Sequence, residues 1–224
     1  MSAGTGYEVI TFDCYGTLID WEAGILEAFA REAMDRDADA SGDEVLGLYA
    51  EIEPVVEQET YRRYRDVLAI TASRVASRLG WPEGDDGFLA RGLPAWQPFP
   101  DTNPALVSLV RAGVRLGILS NVDRDLIDGT LVHLRAPFDP LVTAEDVRAY
   151  KPAHRHFTVA RERLHGLRWL HAAQSHFHDV APCIELGIDV VWVNRKGERS
   201  RTPGPTAEVA DLTGLVGWVS GAQR

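Results

Sequence analysis

The stretch "ITFDCYGTLIDW", Ile10 to Trp21, decides the fold. It reads as a buried β-strand that breaks into a glycine turn directly after an aspartate. Tyr15 follows Asp13 by two positions and Thr17 follows it by four. A carboxylate at the tip of an apolar strand needs a partner or a task, because burying an unpaired charge is costly.

Beyond this stretch the apolar spacing turns helical from about Trp21 to Leu79, as in Ile25 and Phe29 and again in Val67, Ile70, Val75 and Leu79. The acidic run Asp35 to Glu44 reads as a solvated loop between helices, and Gly80 to Gly87 as a second break. The proline-rich segment Gly92 to Pro104 reads as the return from an inserted helical unit. Thereafter the chain alternates. A helix is expected over Pro104 to Ala112 with Asn103 as its cap, then a strand over Val114 to Asn121 and a helix from Asp123. Phe138 to Thr143 reads as a short strand. "YKPAHRHFTVARERL" opens with a turn and becomes helical, and Arg168 to Ser175 is a strand. "HDVAPCIELG" is a helix with Gly187 past its end, and Ile188 to Asn194 a further strand. Strand–helix alternation of this kind implies an α/β fold, a parallel sheet covered on both faces.

Composition narrows the function. The chain has 224 residues and a formal charge of −10, which argues against nucleic acid or an anionic membrane as partner. A small anionic molecule remains open, since it needs only a local positive pocket. No apolar run approaches the ~20 residues of a membrane span, and "MSAGTGYEV" has no features of a secretory signal. Cytoplasmic residence is the resulting expectation. Cys14 and Cys183 stand in no metal-type spacing. Of 23 basic residues only Lys151 and Lys196 are lysines. A lysine in such a chain marks a place where a compact ammonium is wanted, or else a leftover on the surface.

In parallel sheets the ligand site lies beyond the carboxyl ends of the strands. Four polar clusters fall there: Asp13 with Thr17, Ser120 with Asn121, Lys151, and Gln174 to Asp179. Each has a plainer reading alone. Asp13 could brace its turn, Thr17 and Ser120 could bond local backbone, and Asn121 or Asp179 could serve a helix start. Convergence of all four favours a site. His171, His176, His178 and Asp179 lack the spacing of a helical metal motif. His154 and His156 fall on different faces of a helix. Trp21 and Trp96 read as hinge packing ahead of substrate wall, and Cys14 as core.

These motifs, "FDCYGTL", "ILSN", "YKP" and "QSHFHD", resemble the haloacid dehalogenase superfamily in order and spacing. The resemblance spans most of the chain and implies a Rossmann-like core of residues 1–19 and 98–224 with a mainly helical cap domain at 20–97. Phosphatases of that superfamily carry a second aspartate where this chain has Tyr15. Cleaving a phosphate ester expels an alkoxide that needs a proton, whereas halide leaves as a stable anion. The pattern D-x-Y-G-T with L-S-N and Y-K-P therefore looks like the type II 2-haloacid dehalogenase branch.

The resemblance implies Asp13 as nucleophile, attacking C2 of a 2-haloacid to give an ester that water then hydrolyses. Lys151 would hold Asp13 ionised, and Asp179 would orient Lys151. Thr17 and Ser120 would hold carboxylates, Asn121 would cradle the halide, and Tyr15, Ser175 and His176 would complete the substrate pocket. No cofactor is implied, and a homodimer is the expected assembly. Under a phosphatase alternative, Asp13, the Tyr15 carbonyl and Asp179 would gather Mg²⁺; a non-catalytic anion binder is a third possibility. The chain also departs from the family. The cap arginine has no counterpart between Asp37 and Tyr61, leaving Arg62, Arg63 or Arg65 as replacements from the next segment. The family's tyrosine after the lysine is Phe157, and its late serine and asparagine motif reads Gln174, Ser175 and His176.

Overall fold

The computed structural model describes residues 6–199 and 203–221. Six strands form one parallel sheet: β1 (Val9–Phe12), β2 (Arg115–Ser120), β3 (Leu141–Thr143), β4 (Trp169–Ala173), β5 (Asp189–Val193) and β6 (Ala207–Val209). Their order is β3-β2-β1-β4-β5-β6, so β1 is central, and all four of its residues are buried. Near-continuous apolar strands follow from burial on both faces. On one face Ile10, Phe12 and Ile118 share a core with Leu106 of α5 (Thr102–Arg111) and Leu215 of α10 (Leu212–Val219). On the other, Leu119, Val142 and Trp192 pack with Phe157 of α8 (Arg155–Arg163) and Cys183 of α9 (Ala181–Glu185). Short α6 (Arg124–Leu131) and α7 (Ala144–Val147) complete the crossovers between β2, β3 and β4.

Between β1 and α5 the chain makes four helices: α1 (Trp21–Asp35), α2 (Gly42–Gln58), α3 (Tyr64–Arg78) and α4 (Phe88–Gly92). Ser41 caps α2 through the Glu44 amide, which explains why the acidic run ends there. Leaving and returning segments touch at one point. Ile19 bridges Pro98, and the Asp20 amide donates to the Gln97 carbonyl at 2.9 Å. A second tie comes from Asp123, fully buried at the end of the β2 turn. Its two oxygens accept the amides of Tyr64 and Arg65 at 2.9 and 3.0 Å and so cap α3.

Two local expectations change. Helix α5 begins at Thr102, so Asn103 lies inside its first turn. Its side chain instead accepts from the Arg135 amide and donates to the His133 carbonyl, tying α5 to the loop after α6. The sheet also extends past Asn194, through β6 and the covering helix α10, which three weakly patterned residues in β6 did not announce. Among the described residues no helix is long and apolar enough to cross a membrane.

Gly24 in α1 lies flat against the Trp96 indole; a Cβ there would sit 2.3 Å from the ring. Trp96 is itself buried, so the ring has little room to retreat. Gly24→Ala is expected to lower stability by about 1–3 kcal/mol, read as a shift of the urea midpoint at unchanged slope.

Candidate active site

Parallel strands end on one edge, which brings Asp13, Ser120 and Gln174 side by side at the ends of β1, β2 and β4. Lys151 enters this edge from the loop before α8, wholly buried. An ammonium has three donors, and all three are used. Lys151 Nζ donates to Asp13 Oδ1 at 2.9 Å, to Asp179 Oδ1 at 2.6 Å and to the Leu119 carbonyl at 2.8 Å. The free Asp13 oxygen, Oδ2, accepts from Thr17 Oγ1 at 2.9 Å, and Thr17 in turn accepts the Gln174 amide. Glycine at position 16, with φ of +96°, turns the chain back so that Thr17 reaches Asp13.

The two carboxylates differ although they share one cation. Burial pushes Asp13 above the usual aspartate range more strongly than the Lys151 ammonium pulls it down. Burial also acts on Asp179, but there Lys151 and a bond from His171 outweigh it and hold the group at about 2. Asp179 is thus the fixed anion, and Asp13 is the more basic, more nucleophilic oxygen. The same pair raises Lys151 against the desolvation that would discharge it.

A buried chain fixes Asp179. The Trp169 indole donates to Thr11 Oγ1 at 2.7 Å, Thr11 bonds His171 Nδ1 at 2.8 Å, and His171 Nε2 reaches Asp179 Oδ1 at 3.0 Å. Trp169 can only donate to Thr11, and His171 Nε2 donates to the Asp179 carboxylate. Phe157 packs edge-on against His171 at 5.5 Å, so its ring braces this imidazole.

Above the strand edge lies a cavity of about 260 Å³, roofed by α2 and α3. Asp13, Tyr15, Ser120, Asn121, Ser175 and Asp179 line it with Lys151. Tyr15 presents its ring, its hydroxyl being bonded to Thr130 at 2.9 Å. The Ser120 hydroxyl is fully buried and has no hydrogen-bond partner. Asn121 clamps the Lys151 backbone in both directions, at 2.7 and 3.1 Å. Ser175 caps the turn His176–Val180 by accepting the His178 amide. His176 points elsewhere, edge-on to Trp192 at 5.4 Å, and His178 reaches the cavity in its place. One extra residue in the wide His176–Val180 turn accounts for the shift, since it rotates each side chain relative to a regular helix.

Trp21 and Trp96, expected as hinge packing, both form cavity wall. The three candidate arginines do not. Arg62 pairs with Glu59, while Arg63 and Arg65 turn to the acidic group of Asp123 and Asp125 outside the cavity. Among the described residues lining the cavity Lys151 is the only lysine or arginine. The roof instead contributes Glu53 and Glu57, one helical turn apart on α2. Tyr64 donates to Glu53 Oε1 at 3.1 Å and Tyr49 bonds Tyr64 at 3.3 Å. Burial pushes Glu53 up to about 7. The sequence signal for these two was an i, i+4 acidic pair on the inward stripe of Val45, Tyr49, Ile52 and Val56.

Removing the ammonium would leave two buried carboxylates unpaired. Lys151→Met is expected to destabilise by about 3–5 kcal/mol at neutral pH. Asp179 contributes its stability above the unfolded carboxylate pKa and loses it as pH falls towards 2. The deficit of the variant should therefore shrink in acid, which denaturation at several pH values would measure.

The model of the haloacid dehalogenase-like hydrolase family matches residues 7–181 of this chain. An (S)-2-haloacid dehalogenase of Pseudomonas putida is 28% identical over 95% of this chain and 97% of its own length. Haloacetate dehalogenase H-2 of Moraxella sp. (strain B) is also 28% identical, over 91% and 95%. Among solved structures, an L-2-haloacid dehalogenase superposes with a TM-score of 0.82 at 23% identity, over 96% of this chain and 99% of that one. The enzyme of Xanthobacter autotrophicus with chloropropionic acid covalently bound gives 0.78 at 20% identity, over 96% and 99%. With its glycine turn after a strand-end aspartate and a buried lysine facing it, the chain belongs to the haloacid dehalogenase-like hydrolase family.

Proposed function

We propose that the protein is a hydrolytic dehalogenase of short 2-halocarboxylates, with Asp13 as the nucleophile. The observation that carries this reading is the buried Asp13–Lys151–Asp179 cluster, opening on a cavity with Tyr15 where a second acid would stand. One Asp13 oxygen attacks C2 and halide leaves with the bonding electron pair, giving an aspartyl ester. Water attacks the ester carbonyl, and the hydroxy acid departs with one oxygen that began in Asp13. Lys151 keeps the carboxylate ionised before attack and stabilises charge on it during hydrolysis. Thr17 orients the second Asp13 oxygen, and the unclaimed Ser120 hydroxyl is the donor for the substrate carboxylate. The helices of residues 20–97 act as a cap that excludes bulk water from the displacement.

The donor set does not suit Mg²⁺. Asp13 and Asp179 each commit an oxygen to Lys151, and the described residues hold no group of three acidic, histidine or cysteine side chains arranged for a metal. Hard divalent cations favour a shell of several oxygens. We therefore assign the reaction to Asp13 and Lys151 without a cofactor.

Halide release from 2-chloropropionate is expected to survive chelation and to vanish in Asp13→Asn. Single turnover in oxygen-18 water should place label in Asp13, read by peptide mass spectrometry. Turnover of an aryl phosphate only with added Mg²⁺, and no halide release, would overturn the assignment.

A further inference from the structure

The catalytic cavity has a roof with no cation. A departing halide needs donors, and of those on the sheet side Lys151 is fully engaged while the Ser120 hydroxyl is open. Lys151 has given all three of its protons to Asp13, Asp179 and Leu119. Asn121 has given one amide proton to the Lys151 carbonyl. Glu57 faces the same cavity from the roof. Its side chain is only 6% exposed.

The groups facing Glu57 do not neutralise it as an ion. Glu53 lies one turn back on the same helix and disfavours a second negative charge. His178 Nε2 is 3.9 Å from Glu57 Oε2, beyond a hydrogen bond, and His178 Nδ1 bonds Ser175. Burial holds His178 below its usual range, so this ring stays neutral. Lys151 attracts Glu57 but has no proton left to donate to it. Burial first, and Glu53 second, push Glu57 well above the glutamate range. A neutral carboxylic acid has one O–H to donate.

We propose that Glu57, as a neutral acid, is the donor that receives the departing halide, standing in for a roof cation. This rests on the dehalogenase reading above and supplies the leaving-group side of that site. As the Asp13–carbon bond forms, the carbon–halogen bond breaks and its electron pair leaves with the halogen. The Glu57 proton stays on its own oxygen and is shared with the halide by a hydrogen bond. Hydrolysis of the ester later restores the Asp13 carboxylate and releases one proton to water. Ser120, buried and unpartnered in the same cavity, remains for the substrate carboxylate, so the two open O–H donors serve opposite ends of a short 2-haloacid. Pro54, Glu57, Lys151 and His178 also border a second cavity of about 460 Å³, which offers the ion a way out past Glu57. A hydrogen-bond donor helps most where the leaving anion accepts most strongly. The site thus favours fluoride and chloride over bromide more than a bare apolar pocket would.

The test compares wild type, Glu57→Gln and Glu57→Ala on fluoroacetate, chloroacetate and bromoacetate, with halide release followed from acid to alkaline pH. The active form is the acid, so wild-type turnover should fall as rising pH removes the Glu57 proton. Glu57→Gln keeps a donor that does not titrate and should remove that fall. Glu57→Ala should lower fluoride release by about 10- to 100-fold and bromide release by less. Wild-type turnover that rises through the same pH range, or an equal loss for all three halides in both variants, would overturn the proposal. If the alanine variant does not fold, the glutamine variant's pH profile decides alone. No halide release by wild type at any pH, with Asp13→Asn indistinguishable from it, would instead sink the dehalogenase reading itself.

Discussion

One ammonium between two carboxylates organises this molecule. Lys151 is sequestered from solvent with an excess of negative charge around it, and that arrangement is tolerable only because each of its protons has a short, defined acceptor. Its position depends on the parallel sheet. Neighbouring strands deliver Asp13 and the Leu119 carbonyl to one edge, and the turn after β4 supplies Asp179. The chemistry then follows from an asymmetry of surroundings. Asp179 takes both Lys151 and His171 on its Oδ1 oxygen, whereas Asp13 divides Lys151 and Thr17 between its two oxygens.

The cavity above is built on opposite electrostatic terms. The floor carries one ammonium between two carboxylates, while the roof carries Glu53 and Glu57 among Tyr49, Tyr64, Trp21 and Trp96. Burial among these aromatic walls pushes both roof acids above the usual glutamate range. A related scaffold can therefore host different leaving groups by changing the roof and leaving the floor alone, which is how sites grafted on shared folds diverge.

The floor was legible in the sequence because strand ends are short-range features. Asp13, Thr17, Ser120 and Lys151 each sit within two residues of a strand end or a turn breaker, and the sheet topology brings them together without further information. The roof was not legible in the same way. Glu53 and Glu57 look like ordinary acids on an acidic helix, and only the placement of α2 over the strand-end cavity turns them inward. Arg63 and Arg65 misled for the converse reason. Their charge suits a substrate, but Asp123 and Asp125 lie closer and claim them. In the late motif, His176 and His178 differ only in which way a widened turn rotates them. The strand β6 was missed because three residues carry too little periodicity to register.

Asp123 carries a consequence for how the roof moves. Its carboxylate is solvent-free and held by two amides of α3, so lifting that helix strands a bare anion and two bare N–H groups at once. Partial displacement gains nothing until water floods the gap. Access to the cavity should then behave as a latch with a shut and a released position, and traffic through it will be set by how often the latch lets go, not by gradual breathing.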